Sequence, residues 1–261
     1  MIDSKIMKEE SINYLINKTM GDLMHAEQDA TIDTFKLNNF KMALKSYLRA
    51  IKYNPTLHAS WLGILGIENI DQNTIDLATK NVLYLKNLPP ELKSVSSFIY
   101  EGKYKKADHL CRDFLKKDPH NVEAMRLLAK VGKELHVYDD AEFLLESCLE
   151  FEPDNIDTLI QYINILIKRQ KYGPALEKAE LLNKKFPNDK NAQITYAATL
   201  QQTDNQYEAL NLYKEILNKY PSNYQILLSC GHLYKNFGQI DKSIISYKKS
   251  YKIKTLLIKT Q

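Results

Sequence analysis

The sequence predicts an all-α solenoid, a superhelix of antiparallel helix pairs. Three observations carry that prediction. Pro119, Pro153, Pro187 and Pro221 stand 34 residues apart. An alanine precedes each proline by twelve residues: Ala107, Ala141, Ala175 and Ala209. The apolar positions around each alanine fall on successive turns of one helix face. A fixed period of this length marks a repeat protein and outranks any local motif in deciding the fold. Ala43 and Pro55 form a fifth pair outside the regular run.

With 261 residues, 44% hydrophobic and 26% charged, the chain has the composition of a folded protein with a sizeable core. Its formal charge is +4, and 32 of its 36 basic residues are lysines spread along the chain, which reads as a solvated surface. A nucleic-acid footprint would gather Arg and Lys on one face, so no nucleic-acid partner is expected. The opening MIDSKIMKEESINYL places charges where a signal peptide needs an apolar run, and no stretch is apolar for long enough to span a bilayer. A cytoplasmic location and no membrane partner are therefore expected.

Taken in order, Ile12, Leu15, Ile16 and Met20 predict a leading helix, and a degenerate first pair follows from Leu23 to Tyr53. The second helix of that pair presents Phe40, Ala43, Leu44, Tyr47, Ala50 and Ile51 on one face and stops at Asn54-Pro55. Between Thr56 and Leu88 the register slips. Trp61, Leu62, Ile64 and Leu65 begin one helix; Ile75, Leu77, Val82, Leu83 and Leu85 mark another, ended by Pro89-Pro90. No linker-like composition interrupts this part, so it reads as a shortened repeat.

In the regular section Tyr104, Tyr138 and Tyr172 stand fifteen residues before their prolines. The first helix of each unit carries Leu128-Ala129, Tyr162-Ile163, Tyr196-Ala197 or Cys230-Gly231, where a mostly small second residue lets two helices approach. Asn121, Asn155, Asp189 and Asn223 are placed to cap those first helices, and Asp139 with Glu142 reads as a capping box. The organisation expected is residues 1–106 as degenerate repeats with a leading helix, 107–255 as the regular array, and 256–261 as an uncapped tail.

This 34-residue helix-turn-helix, with small residues at both close approaches, an aromatic opening the second helix and a terminal proline, resembles the tetratricopeptide repeat (TPR). The resemblance covers 107–255 well, 24–55 fairly and 56–106 poorly. It implies a right-handed superhelix of about six or seven helix pairs. More narrowly, AEFLLESCLEFEPDN, IKRQKYGPALEKA and GHLYKNFGQIDKSIISYKKSY resemble the repeat half of bacterial TPR sulfotransferases. In those proteins the repeats precede a catalytic domain using the sulfuryl donor PAPS. No glycine-bearing phosphate loop occurs here, and no two glycines are five apart, so the alternative reading is a repeat half that presents a substrate or partner without its catalytic domain.

Chemistry finds little support, and neither catalytic residues nor a cofactor are expected. Cys111, Cys148 and Cys230 lie in helical patterns without CxxC spacing. His109 and Cys111 point to different faces of one helix, and the six histidines form no HxxxH or HxxH group, so no metal is expected. Glu146 and Glu150 share a face that solvation explains.

Binding is better supported, because the first helices of stacked pairs line a concave surface. Opposite the small-residue seam they carry Arg126, Lys130 and Lys133; Ile160, Asn164, Ile167 and Lys168; Ile194, Ala198 and Gln201; then Leu228, His232 and Lys235. This predicts a groove basic at one end and apolar-polar in the middle, suited to an acidic or carboxylate-bearing peptide. The lysine-asparagine pair by which chaperone-binding TPR domains hold a terminal carboxylate would fall at Ile160 and Asn164, and the lysine is missing. The expected function is a non-enzymatic, protein-binding scaffold, with self-association through an apolar C-terminal edge as a further expectation.

Overall fold

The computed structural model describes residues 40–67 and 70–259. These residues form thirteen helices and no strand, in two compact units, Met1–Phe114 and Leu115–Gln261. The leading helix expected around Ile12 to Met20, and the beginning of the first pair at Leu23, lie outside the described residues. Among the described residues no helix is long and apolar enough to cross a membrane.

The first unit contains α1 (Phe40–Tyr53), α2 (His58–Leu65), α3 (Gln72–Asn87), α4 (Pro90–Tyr100) and most of α5 (Tyr104–Lys117). Tyr47, Ala50 and Ile51 of α1 are buried, as the periodicity requires. The Tyr47 ring lies 2.3 Å from where a Cβ on Gly63 would stand, so only glycine lets α2 pass there. Trp61 donates its indole N–H to the Pro55 carbonyl at 2.8 Å. In α3 the packed stripe is Ala78 and Leu85; Leu77 and Leu83, expected on it, are exposed. At 3.6 residues per turn Leu83 falls on the far side of the helix and Leu77 on its flank, about a quarter turn from the packed stripe. Pro90 opens α4 at a position whose N–H would have no helical partner anyway, so the Pro89-Pro90 pair both ends α3 and starts α4.

The second unit is a run of four antiparallel pairs: α6 (Val122–Glu134) with α7 (Tyr138–Phe151), α8 (Ile156–Lys168) with α9 (Tyr172–Lys185), α10 (Lys190–Gln201) with α11 (Gln206–Lys219), and α12 (Tyr224–Asn236) with α13 (Ile240–Lys259). Each first helix is capped as expected. Asn121, Asn155, Asp189 and Asn223 accept from the amides of Ala124 (3.0 Å), Thr158 (3.0 Å), Ala192 (2.8 Å) and Ile226 (3.2 Å). The capping box at Asp139 does not form. α7 begins at Tyr138 with Val137 in the cap position, which leaves Asp139 inside the helix and no side-chain cap; Arg169 pairs with Asp139 and, together with Lys171, with Glu142.

The turns inside the pairs repeat at the level of the main chain. Gly102, His136, Gln170 and Gly238, at one position of the period, have φ of 71°, 62°, 58° and 71°. After each of them an amide reaches five residues back: Lys103 to Phe98, Val137 to Gly132, Lys171 to Leu166 and Gln239 to Tyr234, all at 2.8–2.9 Å. This is the Schellman stop, whose left-handed residue glycine fills without steric cost. α10 is a residue shorter and ends differently, with the Thr203 hydroxyl donating to the Leu200 carbonyl.

Ala141, Ala175 and Ala209 are wholly buried against the preceding first helices, and the partner residues Ala129, Ile163, Ala197 and Gly231 are buried too. The apolar core runs from pair to pair in two clusters, one centred on Ile163, Leu166 and Leu182, the other on Leu200, Tyr213 and Ile216. In the last pair Ser243 takes the alanine's place and donates its hydroxyl to the Gly231 carbonyl at 2.8 Å. No proline stands at position 255, and α13 continues through it to Lys259.

Candidate functional site

The expected binding residues all sit on the first helices α6, α8, α10 and α12, at equivalent heights, because the repeat of 34 sets Arg126, Ile160, Ile194 and Leu228 in one register, Lys130, Asn164, Ala198 and His232 in the next, and Lys133, Ile167, Gln201 and Lys235 in a third. Direct packing of α8 against both α6 and α10 brings equivalent positions on those three helices side by side. Each helix turns its seam residues inward, which leaves these registers on the opposite, partly solvated side.

The registers differ in character along the array. On α6 the cations are compensated. Arg126, with only 17% of its side chain exposed, is paired with Glu123, and Lys133 lies 3.4 Å from Glu134. Lys130 is half-buried beside them. Ile160 and Ile167 of α8 lean on the core while Asn164 and Lys168 are exposed. Ile194 and Ala198 of α10 are half-buried, and Gln201 accepts from the Tyr213 hydroxyl at 3.1 Å. On α12 Leu228 is 42% exposed, Lys235 is exposed, and the His232 ring stands edge-on to Tyr247, 3.0 Å from its hydroxyl. The face thus changes from ion-paired, through largely apolar with the amides of Asn164 and Gln201 and the exposed Lys168, to mixed.

The remaining polar chemistry is absorbed by packing. Glu142, only 6% exposed, is clamped between Arg169 and Lys171, the latter at 2.6 Å, and so ties α7 to the turn after α8. Tyr162 donates its hydroxyl to Glu146 at 2.7 Å; burial, then that bond, hold its ionisation above the ordinary tyrosine range. Burial pushes the Cys148 thiol up to about 12 and the Cys230 thiol up to about 11. Neither supplies a thiolate near neutrality. Among the described residues no group of His, Cys, Asp and Glu is arranged to hold a metal ion. The Glu142 clamp went unrecognised in the sequence, where Arg169 and Lys171 read only as surface charge; the signal was an acid at a register that turns apolar in the later pairs, at Leu176, Leu210 and Ile244.

A family model for the tetratricopeptide repeat matches residues 224–255, which covers α12 and most of α13. Solved structures resemble the chain more widely. MamA, residues 41 to the end, from Desulfovibrio magneticus RS-1 is 12% identical, with 63% of this chain and 93% of that one covered and a TM-score of 0.55. MamA of AMB-1 is 19% identical over 64% and 99% of the two chains, with a TM-score of 0.53; MamA of MSR-1 is 19% identical over 63% and 95%, at 0.51. At such identities the likeness is one of fold, an all-α solenoid of TPR-like helix pairs. No curated protein matches the sequence.

Proposed function

We propose that the second unit is a non-enzymatic scaffold that holds a protein or peptide segment against the outer registers of α6, α8, α10 and α12. The observation that carries this reading is the register of Arg126, Ile160, Ile194 and Leu228. Seam positions of the same helices are filled as packing demands, whereas this register keeps large apolar or cationic side chains on a side that packing leaves partly open. Stacked helix pairs present such registers as a continuous, shaped surface, which suits recognition of an extended segment. The fold likeness supports the architecture.

The partner that fits has apolar side chains for Ile160, Ile194 and Leu228, hydrogen-bonding groups for Asn164, Gln201 and His232, and acidic groups for Lys168, Lys235 and the Arg126, Lys130 and Lys133 end. Glu123 and Glu134 dilute the charge of that last end, so shape and apolar contact carry more of the affinity than charge does. Affinity capture with the intact protein, followed by identification of what is retained, tests the reading when repeated with Ile160→Asp, Ile194→Asp and Leu228→Asp together. Loss of a retained segment from this variant while its helicity is unchanged is the expected result; retention as strong as that of the unaltered chain overturns the assignment. Reversing Arg126, Lys130 and Lys133 to glutamate should weaken capture of acidic segments alone.

A further inference from the structure

The outer registers of the first helices also bear on the form of the segment they receive, an inference that rests on the reading above. α6, α8 and α10 pack directly in that order, and α10 shares one apolar cluster with α12. Packed helices lie about 8–10 Å apart, so Ile160, Ile194 and Leu228, one period of the repeat from each other, recur across the face at about that step. Each keeps a flank open. Ile160 and Ile194 are half-buried, and Leu228 is 42% exposed.

A segment lying across these helices has to present an apolar side chain to the same side at every step. In a β-strand side chains return to one side every second residue, at about 6.6 Å or about 13 Å, and both miss the step. In a polyproline II helix they return every third residue, at about 9.3 Å, which matches it. An α-helix comes near it as well, since seven residues rise about 10.5 Å. The polar groups of the face decide between these two. Asn164 is exposed one turn beyond Ile160, and its side-chain amide bonds to nothing among the described residues. Such a group carries both donors and an acceptor, which suits a backbone whose own amides and carbonyls are unpaired. A polyproline II backbone has no internal hydrogen bonds, whereas an α-helix has already paired the groups along its side. Charge adds to the match: Lys168 and Lys235 are exposed on these helices, and neither meets a carboxylate among the described residues.

We propose that this face takes a segment in the polyproline II form, with an apolar side chain at every third residue for Ile160, Ile194 and Leu228 and acidic residues between them for Lys168 and Lys235. Proline suits the other intervening places, because it fixes the backbone near the angle this form requires. A segment ordered in advance loses less freedom when it is held.

Three end-blocked, fluorescein-labelled peptides of one length test this by anisotropy with the intact protein. The first has leucine at every third place, with proline and glutamate between. The second holds the same residues reordered so that leucine recurs at every second place, and the third is an alanine-glutamate helix with leucine at every seventh. The first should bind at least about tenfold more tightly than either of the others, and Asn164→Ala should weaken it about threefold to tenfold. Ile160→Asp, Ile194→Asp and Leu228→Asp together should abolish its binding with helicity unchanged. Equal affinity for the first and second peptides, or a preference for the helical third, overturns the polyproline II form; if the triple variant still loses that binding, the docking surface stands without it. Binding of the first peptide that the triple variant retains overturns both readings. No binding of the first peptide up to about 1 mM overturns this inference alone.

Discussion

His136 and Gln170 occupy a left-handed backbone position that Gly102 and Gly238 fill elsewhere in the period. A side chain there costs about 1–2 kcal/mol, part of which glycine gives back as flexibility of the unfolded chain. Gln170→Gly should therefore raise stability by about 0.5–1 kcal/mol, read as a higher urea midpoint at unchanged slope. Glu142→Gln should do the reverse. It removes the charge that Arg169 and Lys171 surround, and because both cations are partly exposed the loss should be about 1–2 kcal/mol rather than the larger cost of a fully enclosed pair. Alkaline pH should act at Tyr213 and Cys148, each pushed up to about 12 by burial. Folded-state ionisation above the unfolded value leaves stability intact below that value and removes it as the pH climbs toward the folded one. Stability should thus fall between about pH 9 and about pH 12, and Tyr213→Phe should flatten the upper part of that fall in pH-dependent unfolding.

At the scale of the helix, the four first-helix caps are interchangeable in chemistry, and alanine at Asn121, Asn155, Asp189 or Asn223 should each cost about 1 kcal/mol in chemical denaturation. These starts were legible in the sequence because a cap is local: an oxygen-bearing side chain just past a proline suffices to place it. The second-helix starts at Tyr104, Tyr138 and Tyr172 were legible as well, but the capping box read at Asp139 and Glu142 missed its place by two residues, because Val137 holds the cap position and Asp139 already lies inside α7. α3 shows the same limit. Its run of leucines fixes a helix but not which side packs, and only the neighbouring helices selected Ala78 and Leu85 over Leu77 and Leu83. The narrower likeness to sulfotransferase repeat halves rests on helix-pair features that any such array shares, so it identified architecture and nothing finer. The register proposed for binding was legible in position, through the period of 34, while the pairing of Arg126 with Glu123 and of Lys133 with Glu134 was not, because it depends on rotamers within one helix.

At the scale of the second unit, stability is close to a sum of pair and junction contributions, so its parts should open separately. The junction around α8 is apolar, built on Ile163, Ile165, Leu166 and Leu182. α13 instead rests on Ser243, Ser246 and Ser250 together with the Tyr247 ring over Gly231. Amides of α13 should accordingly exchange with deuterium well before those of α8 in mass-spectrometric exchange. The repeated turn after the first helices has one more consequence. Its stop is written in carbonyls and amides, with glycine, histidine and glutamine all serving at the same place, so that site is open to drift: mutation can try new side chains on the rim of the array for little more than the strain of one backbone angle, while the joints between helices stay as they are.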